Sequence, residues 1–354
     1  MERTMQQLKS MQAAPLNVKV LLTKQRIREW VNEFGTDGVY VSFSGGKDST
    51  VLLTIAREIY PDIKAVFVDT GLEYPEIRDF VRTWDNVEWI HPKITFKQVI
   101  EKYGYPFISK QVSKRLQEWR NTVQKGKDIT NTCAYREFTG SSYYVMSDGD
   151  KLKKSLFSKE KWLFMTKSPY KFSHMCCDVM KKDSFKTLGD SYPMTGQMAQ
   201  ESLNRKKVWL QHGCNAFDAK IPVSNPMAFW TEQDVLQYIY RFGIKIAAVY
   251  GDVVVDGETE AIPGQLTLGD INPEWAKFNP DAPKLKTTGC RRTGCMFCGY
   301  GCHLEKPGEG RFERMKKTHP KQYEWIMKDW DAGGLGYKRV IDWLNENGNL
   351  HIRY

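Results

Sequence analysis

Between the apolar run Val39-Tyr40-Val41-Ser42-Phe43 and a helical pattern from Thr50 to Tyr60 lies Ser44-Gly45-Gly46-Lys47-Asp48-Ser49. This junction limits the folds open to the chain. A strand delivers the backbone to a turn, two glycines let successive N–H groups approach an anion, and the next helix aims its positive end at the same spot. Lys47 adds a full positive charge. A Walker A loop needs four residues between its first glycine and Gly-Lys-Ser/Thr, so the kinase and GTPase loop is a poor fit. Taken alone, the hexad could also be a Gly-Gly surface turn with a charged flank. Its neighbours argue against that: Ile63-Lys64-Ala65-Val66-Phe67-Val68 predicts a second buried strand ending in Asp69-Thr70-Gly71, and Val87-Glu88-Trp89-Ile90 a third. Helical patterns separate them. The expected class is therefore α/β, a doubly wound, mostly parallel sheet whose strand ends form a nucleotide crevice.

The chain has 354 residues and a formal charge of +10, which suits a polyanionic substrate such as ATP and leaves nucleic acid open as a partner. No apolar stretch reaches bilayer-spanning length, so no membrane association is expected, and the expected location is the cytoplasm. In a reducing compartment eight cysteines point to metal or redox chemistry rather than to a disulfide framework.

Two parts are expected: a nucleotide-binding α/β domain over residues 1–250, with a basic insertion near 115–172, and a hairpin with a cysteine-rich helical module over 251–354. Ile27, Trp30, Val31 and Phe34 recur at helical spacing before Gly35. Thr231 and Asp234 predict a capping box for a helix whose face carries Val235, Tyr238, Ile239 and Phe242 and which ends at Gly243. In the basic insertion Lys151, Lys153, Lys154, Lys159, Lys161, Lys167 and Lys171 interleave with Tyr143, Tyr144, Phe157, Trp162 and Phe164. Such a mixture can grip a nucleic-acid backbone, but a solvated helical face with anchoring aromatics is the simpler reading. Val253 to Leu268, around Asp256-Gly257, predicts a hairpin.

Cys290, Cys295, Cys298 and Cys302 lie in a glycine-rich stretch, and Cys176-Cys177 form a vicinal pair. C-x-x-C lets two thiolates reach one metal or cluster, and glycine frees the backbone to wrap it. Zinc would be satisfied by Cys290, Cys295, Cys298 and Cys302; the vicinal pair with the later C-x-x-C suits a 4Fe–4S cluster. Cys133 and Cys214 stand apart and read as packing residues.

Ser44 to Ser49 resembles the PP-loop of the ATP pyrophosphatases, and the pair-plus-C-x-x-C set resembles the adenylylsulfate reductases. With Asp69-Thr70-Gly71 in the same order, the chain from about Val18 to Glu305 is similar to the phosphoadenosine phosphosulfate reductase family of the PP-loop superfamily. Gly196 to Glu201-Ser202 with Arg205 resembles that family's crevice segment, and Pro226, Trp230, Asp234 and Val235 its fold signature. The resemblance implies the adenine nucleotide alpha hydrolase-like fold, with Ser44, Gly45, Gly46, Lys47, Asp48, Ser49, Asp69, Thr70, Gly71, Glu201 and Arg205 at the nucleotide and Lys47 and Asp48 catalytic. It also implies magnesium, with Asp48 and Asp69 as candidate ligands, and a 4Fe–4S cluster on Cys176, Cys177, Cys295 and Cys298, with Cys290 and Cys302 as alternates.

Reductases of this family attack with a cysteine in a Glu-Cys-Gly-x-His tail, whereas Asn349-Leu350-His351-Ile352-Arg353-Tyr354 has none. Relatives combining a PP-loop and a cluster without that tail include enzymes of DNA phosphorothioation and tRNA thiolation. They imply cleavage of ATP to AMP and pyrophosphate and sulfur insertion into an activated acceptor, with a sulfur-donor protein as partner and a homo-oligomeric state. Sulfonucleotide reduction and a non-catalytic nucleotide- or nucleic-acid-binding subunit are the alternatives.

Overall fold

A computed structural model describes residues 3–141, 143–145, 152–154, 158–256 and 283–354. The chain divides into two compact units, one of Met1–Asp69, Glu73–His91 and Phe185–Thr293, the other of Thr70–Leu72, Pro92–Ser184 and Gly294–Tyr354.

The first unit is built on a six-stranded sheet in the order Val87–Ile90, Ala65–Val68, Val39–Ser42, Tyr192–Met194, Val223–Ser224, Asn215–Ala216. All neighbours pair in parallel except the last two, which run antiparallel. The register sets Val41 opposite Ala65 on one side and Met194 on the other. Val39, Tyr40, Val41, Ala65, Val66 and Phe67 are all buried, as a strand covered on both faces requires. From the central strand the chain winds outward through Ala65–Val68 to Val87–Ile90, then returns on the opposite side at Tyr192. The order therefore reverses beside Val39–Ser42, and ligands of open α/β sheets bind at such a switch point.

The helix expected before Gly35 spans Leu16–Phe34 and buries Ile27, Trp30 and Val31; Gly35, at φ 75°, ends it. Thr231 and Asp234 form the expected capping box, and Gly243 caps the helix Glu232–Phe242 in the left-handed region. Val235, Tyr238 and Ile239 are buried there, but Phe242 is 60% exposed. It lies in the last turn against the Tyr238 ring, 4.5 Å between centroids, and so is a cover rather than a core residue. Strand Val253–Val255 pairs antiparallel with Leu285–Thr287; the rest of the expected 253–268 hairpin lies outside the described residues.

A buried ion pair joins these two helices. Lys19 Nζ lies 2.7 Å from Asp234 Oδ2 and also donates to the Gln12 carbonyl at 2.6 Å. The same carboxylate oxygen accepts from Thr231 N and Oγ1. Trp230 Nε1 donates to Thr23 Oγ1 at 2.9 Å alongside. Removing one partner of such a pair strands a buried charge, which costs about 3–5 kcal/mol. Asp234→Ala is therefore expected to lower unfolding stability by about that amount in denaturant titration, and Asp234→Asn, which retains the cap acceptor, by less.

The second unit is largely helical, with Phe96–Tyr103, Lys110–Gln124, Cys133–Thr139, Arg311–Thr318, Pro320–Met327 and Tyr337–Gly348. A short parallel pair, Phe107–Ile108 with Gly299–Tyr300, lies among them. The basic insertion contributes ordered structure to this unit. Lys159 is buried against Glu137 at 2.6 Å, Phe164 stacks on Trp343, and Trp162 meets His303 edge-on. These groups serve as anchors; Lys151 and Phe157 lie outside the described residues.

Candidate functional site: an anion cradle and a thiol cluster

The helix after the first strand begins at Lys47, with Gly46 as its N-cap, and runs to Arg57. Gly45 has φ 69°, and a Cβ there would lie 2.8 Å from both Ile77 Cγ2 and Val81 Cγ2. A left-handed turn packed this closely requires glycine. Ser49 Oγ holds the turn shut: it accepts from Ser44 N at 3.2 Å, donates to the Gly46 carbonyl at 3.0 Å and contacts Ser44 Oγ at 3.0 Å. Thr50 N and Oγ1 both donate to the same carbonyl at 2.9 Å. The loop is thus rigid before any ligand binds.

Lys47 is only 4% exposed. Its ammonium donates to the Arg291 carbonyl at 2.8 Å and to Glu232 Oε1 at 3.4 Å, and its amide donates to the Tyr250 hydroxyl at 3.4 Å. Arg291 Nη2 reaches Glu232 Oε2 at 2.6 Å. Burial pushes the Glu232 carboxyl up, yet the Arg291 hydrogen bond and Lys47 hold it below its ordinary value. Burial also raises the Asp48 carboxyl, against the pull of Lys47, Arg292 and Arg205.

Gly196, just past the neighbouring strand, packs on this helix start: a Cβ there would meet the Asp48 carbonyl group at 2.9 Å. The segment that follows carries Glu201, which accepts from Met198 N at 3.0 Å, pairs with Arg205 and lies 3.8 Å from Arg292 Nη1. Burial lowers the Arg205 guanidinium, and Arg292 lowers it further. Ser44, Gly45, Gly46, Lys47, Asp48, Ser49, Glu201 and Arg205 therefore share one neighbourhood. Asp69 follows the adjacent parallel strand, buried, with Arg78 Nη2 at 2.7 Å from its carboxylate. Thr70 and Gly71 fall in the second unit, where Thr70 Oγ1 accepts from Leu72 N and Gly71 has φ 72°. Sequence reasoning missed Tyr250, Glu232, Arg291, Arg292 and Thr293. The adjacent arginines inside the cysteine stretch were the available signal.

In the second unit the vicinal pair opens a helical turn that passes into a π-helical turn, Asp178–Lys182, a distortion common at functional sites. The C-x-x-C loop is pinned from several sides. Cys298 N donates to the Cys295 carbonyl at 3.1 Å and Met296 N to the Leu72 carbonyl at 2.7 Å, while the Cys298 carbonyl accepts from Arg311 Nη1 at 2.6 Å. The Tyr337 hydroxyl, fully buried, donates to the Phe297 carbonyl at 2.7 Å. Gly299 presses on the Phe107 ring, 2.6 Å from where its Cβ would stand.

Burial raises the Cys176 thiol strongly, and Cys295, Cys177 and Cys298 each add to the rise. All of the expected ligands are thus electrostatic neighbours. Among the described residues no group of His, Cys, Asp or Glu is arranged to hold a single metal ion. Cys302 is buried, donates to the Gly299 carbonyl at 2.9 Å and is pushed up to about 12 by burial. Cys290 belongs to the first unit, where its amide donates to the Val249 carbonyl at 2.9 Å. Cys214, in the same unit, is buried, with its thiol pushed up to about 11 by burial, whereas Cys133 is exposed. Among the described residues no helix is long and apolar enough to cross a membrane.

Comparison with known proteins places these features in context. Residues 38–300 match the phosphoadenosine phosphosulfate reductase domain. An uncharacterized protein of Methanocaldococcus jannaschii is 37% identical over 73 residues, a match covering 19% of this chain and 18% of that protein. Among solved structures, a phosphoadenylyl-sulfate reductase from Candida auris in a phosphate complex aligns with 14% identity and a TM-score of 0.34, covering 70% of this chain and 91% of that one. The domain match takes in the glycine turn, the vicinal pair and the C-x-x-C loop, and the chain belongs to the phosphoadenosine phosphosulfate reductase domain family.

Proposed function

We propose that this protein is an ATP-dependent adenylating iron–sulfur enzyme that cleaves ATP to AMP and pyrophosphate and inserts sulfur into the activated acceptor. The observation that carries the nucleotide half is Lys47, a buried ammonium beside glycine-turn amides at a sheet switch point. In this reading an acceptor oxygen attacks the α-phosphorus, the bond to the β-phosphate oxygen breaks, and a sulfur nucleophile then displaces AMP. Lys47 and the loop amides stabilise charge on the departing pyrophosphate. Magnesium, held by Asp48 or Asp69, would add to that neutralisation.

Cys176, Cys177, Cys295 and Cys298 fit a cluster. Cys177, Cys295 and Cys298 all act on Cys176; the pair sits at a helical turn and the other two on a loop whose backbone is fixed by Arg311, Tyr337 and Phe107. When bound, a 4Fe–4S cluster would supply sulfur storage or relay.

Family membership favours a second reading, reduction of a sulfonucleotide. That reaction needs an accessible thiolate to take up the sulfonate. Cys302, Cys290 and Cys214 are buried, and Cys302 is further tied to a carbonyl, which favours insertion over attack by any of these three; Cys133, which is exposed and stands apart from the cysteine groups, is the accessible thiol a reductase would have to use. Anaerobic protein supplied with magnesium, ATP, sulfide and pooled nucleic acid as trial acceptor is expected to release AMP and pyrophosphate, and adenylylsulfate with thioredoxin is expected to release no sulfite. ADP and phosphate as the main products would refute α–β cleavage. Sulfite release abolished by Cys133→Ser or Cys302→Ser would establish the reductase instead.

A further inference from the structure

The loop between Cys290 and Gly294 is needed for neither sheet pairing nor metal ligation, yet it is aimed at the glycine turn. Its Arg291 carbonyl accepts from Lys47 Nζ at 2.8 Å, which fixes the segment in place. Thr293 Oγ1 lies 2.5 Å from the Tyr250 hydroxyl, and that hydroxyl accepts the Lys47 amide. A Cβ at Gly46 would stand 3.4 Å from the Tyr250 hydroxyl and 3.9 Å from Thr293 Oγ1. The Tyr250 hydroxyl thus stands where the Lys47 amide at the helix start points, with Thr293 Oγ1 beside it, the place an anion's oxygens would take. On the same loop Arg292, 55% exposed, lies 3.8 Å from Glu201 Oε1, while Arg205 pairs with Oε2 of the same carboxylate. Two guanidiniums therefore converge on one carboxylate, both close enough to act on Asp48. An incoming oxyanion would balance positive charge that one carboxylate shares between two arginines.

We propose that Arg292, together with Arg205, grips the oxyanion tail, phosphate or sulfate, that is joined to the adenylate of the substrate, with Tyr250 and Thr293 lining the same wall. The inference rests on the nucleotide reading above and assigns the loop before the C-x-x-C a substrate-binding role. A charge-assisted guanidinium contact to phosphate discriminates strongly between nucleotides that carry a tail and those that do not.

The test is calorimetric binding of magnesium-ATP, adenylylsulfate and AMP to wild-type protein and to Arg292→Ala, Arg292→Lys and Thr293→Val. Arg292→Ala is expected to weaken ATP about 10- to 100-fold while leaving AMP within about twofold, and to flatten the salt dependence of ATP binding; Arg292→Lys should recover part of the loss. An equal effect on adenylylsulfate makes the grip general to oxyanions, and an effect on one ligand alone names the tail it serves. Unchanged ATP and adenylylsulfate affinity in Arg292→Ala, or an equal loss for AMP, would overturn the inference while wild-type binding left the nucleotide reading standing. Wild-type protein that bound none of the three would overturn both.

Discussion

Cys177→Ser and Cys298→Ser are each expected to abolish iron incorporation into anaerobically purified or reconstituted protein, which in the wild type should carry about four irons per chain and a broad visible absorption that bleaches on reduction. The expectation follows from the vicinal pair at a helical turn and the pinned C-x-x-C loop lying in one unit, with Cys177, Cys295 and Cys298 all close enough to act on the buried Cys176. Thiolates brought together in this way suit a cationic iron centre. Cys133→Ser and Cys214→Ser serve as controls: the first is exposed and the second lies in the other unit, so both should keep full iron. Stoichiometric zinc without iron under the same conditions would refute the cluster. Hydrogen bonds from Arg311 and Tyr337 to the loop carbonyls should keep the serine variants folded, so circular dichroism separates loss of cluster from loss of structure.

Lys47→Ala is expected to lower nucleotide turnover by about 10²- to 10³-fold, the range seen when one preorganised donor to a developing oxyanion is removed. The fold should suffer far less, by about 1–2 kcal/mol. Glu232 would not be stranded, since Arg291 still pairs with it at 2.6 Å, and the Ser49 and Thr50 bonds that shape the turn do not pass through the lysine. Single-turnover release of pyrophosphate measures the first quantity and denaturant titration the second. Near-normal pyrophosphate release from Lys47→Ala would remove the lysine from the reaction.

Much of the first unit could be read from short stretches of chain. Val39 to Ser49 predicts strand, turn and helix because each depends on neighbours within a few residues: β-branched alternation, glycine at positive φ and an unpaired helix start. The structure differs only in detail, ending the strand at Ser42 and starting the helix at Lys47. The third strand and the Thr231–Asp234 cap were legible for the same reason. Phe242 was not, because periodicity marks a face but not how far along the helix the neighbouring element reaches.

What the sequence by itself determined was the local machinery: the glycine turn, its lysine, the paired cysteines and the parallel α/β class. What only the tertiary structure decided was the company these groups keep. Tyr250 meets the Lys47 amide across 203 residues of chain, and the Arg291 carbonyl meets its ammonium across 244. No propensity, spacing or cap encodes which distant loop will arrive there, since that choice depends on how whole elements pack and not on any short-range preference. The same packing assigned Cys290 to the nucleotide unit and Cys295 to the other, although five positions separate them in the chain.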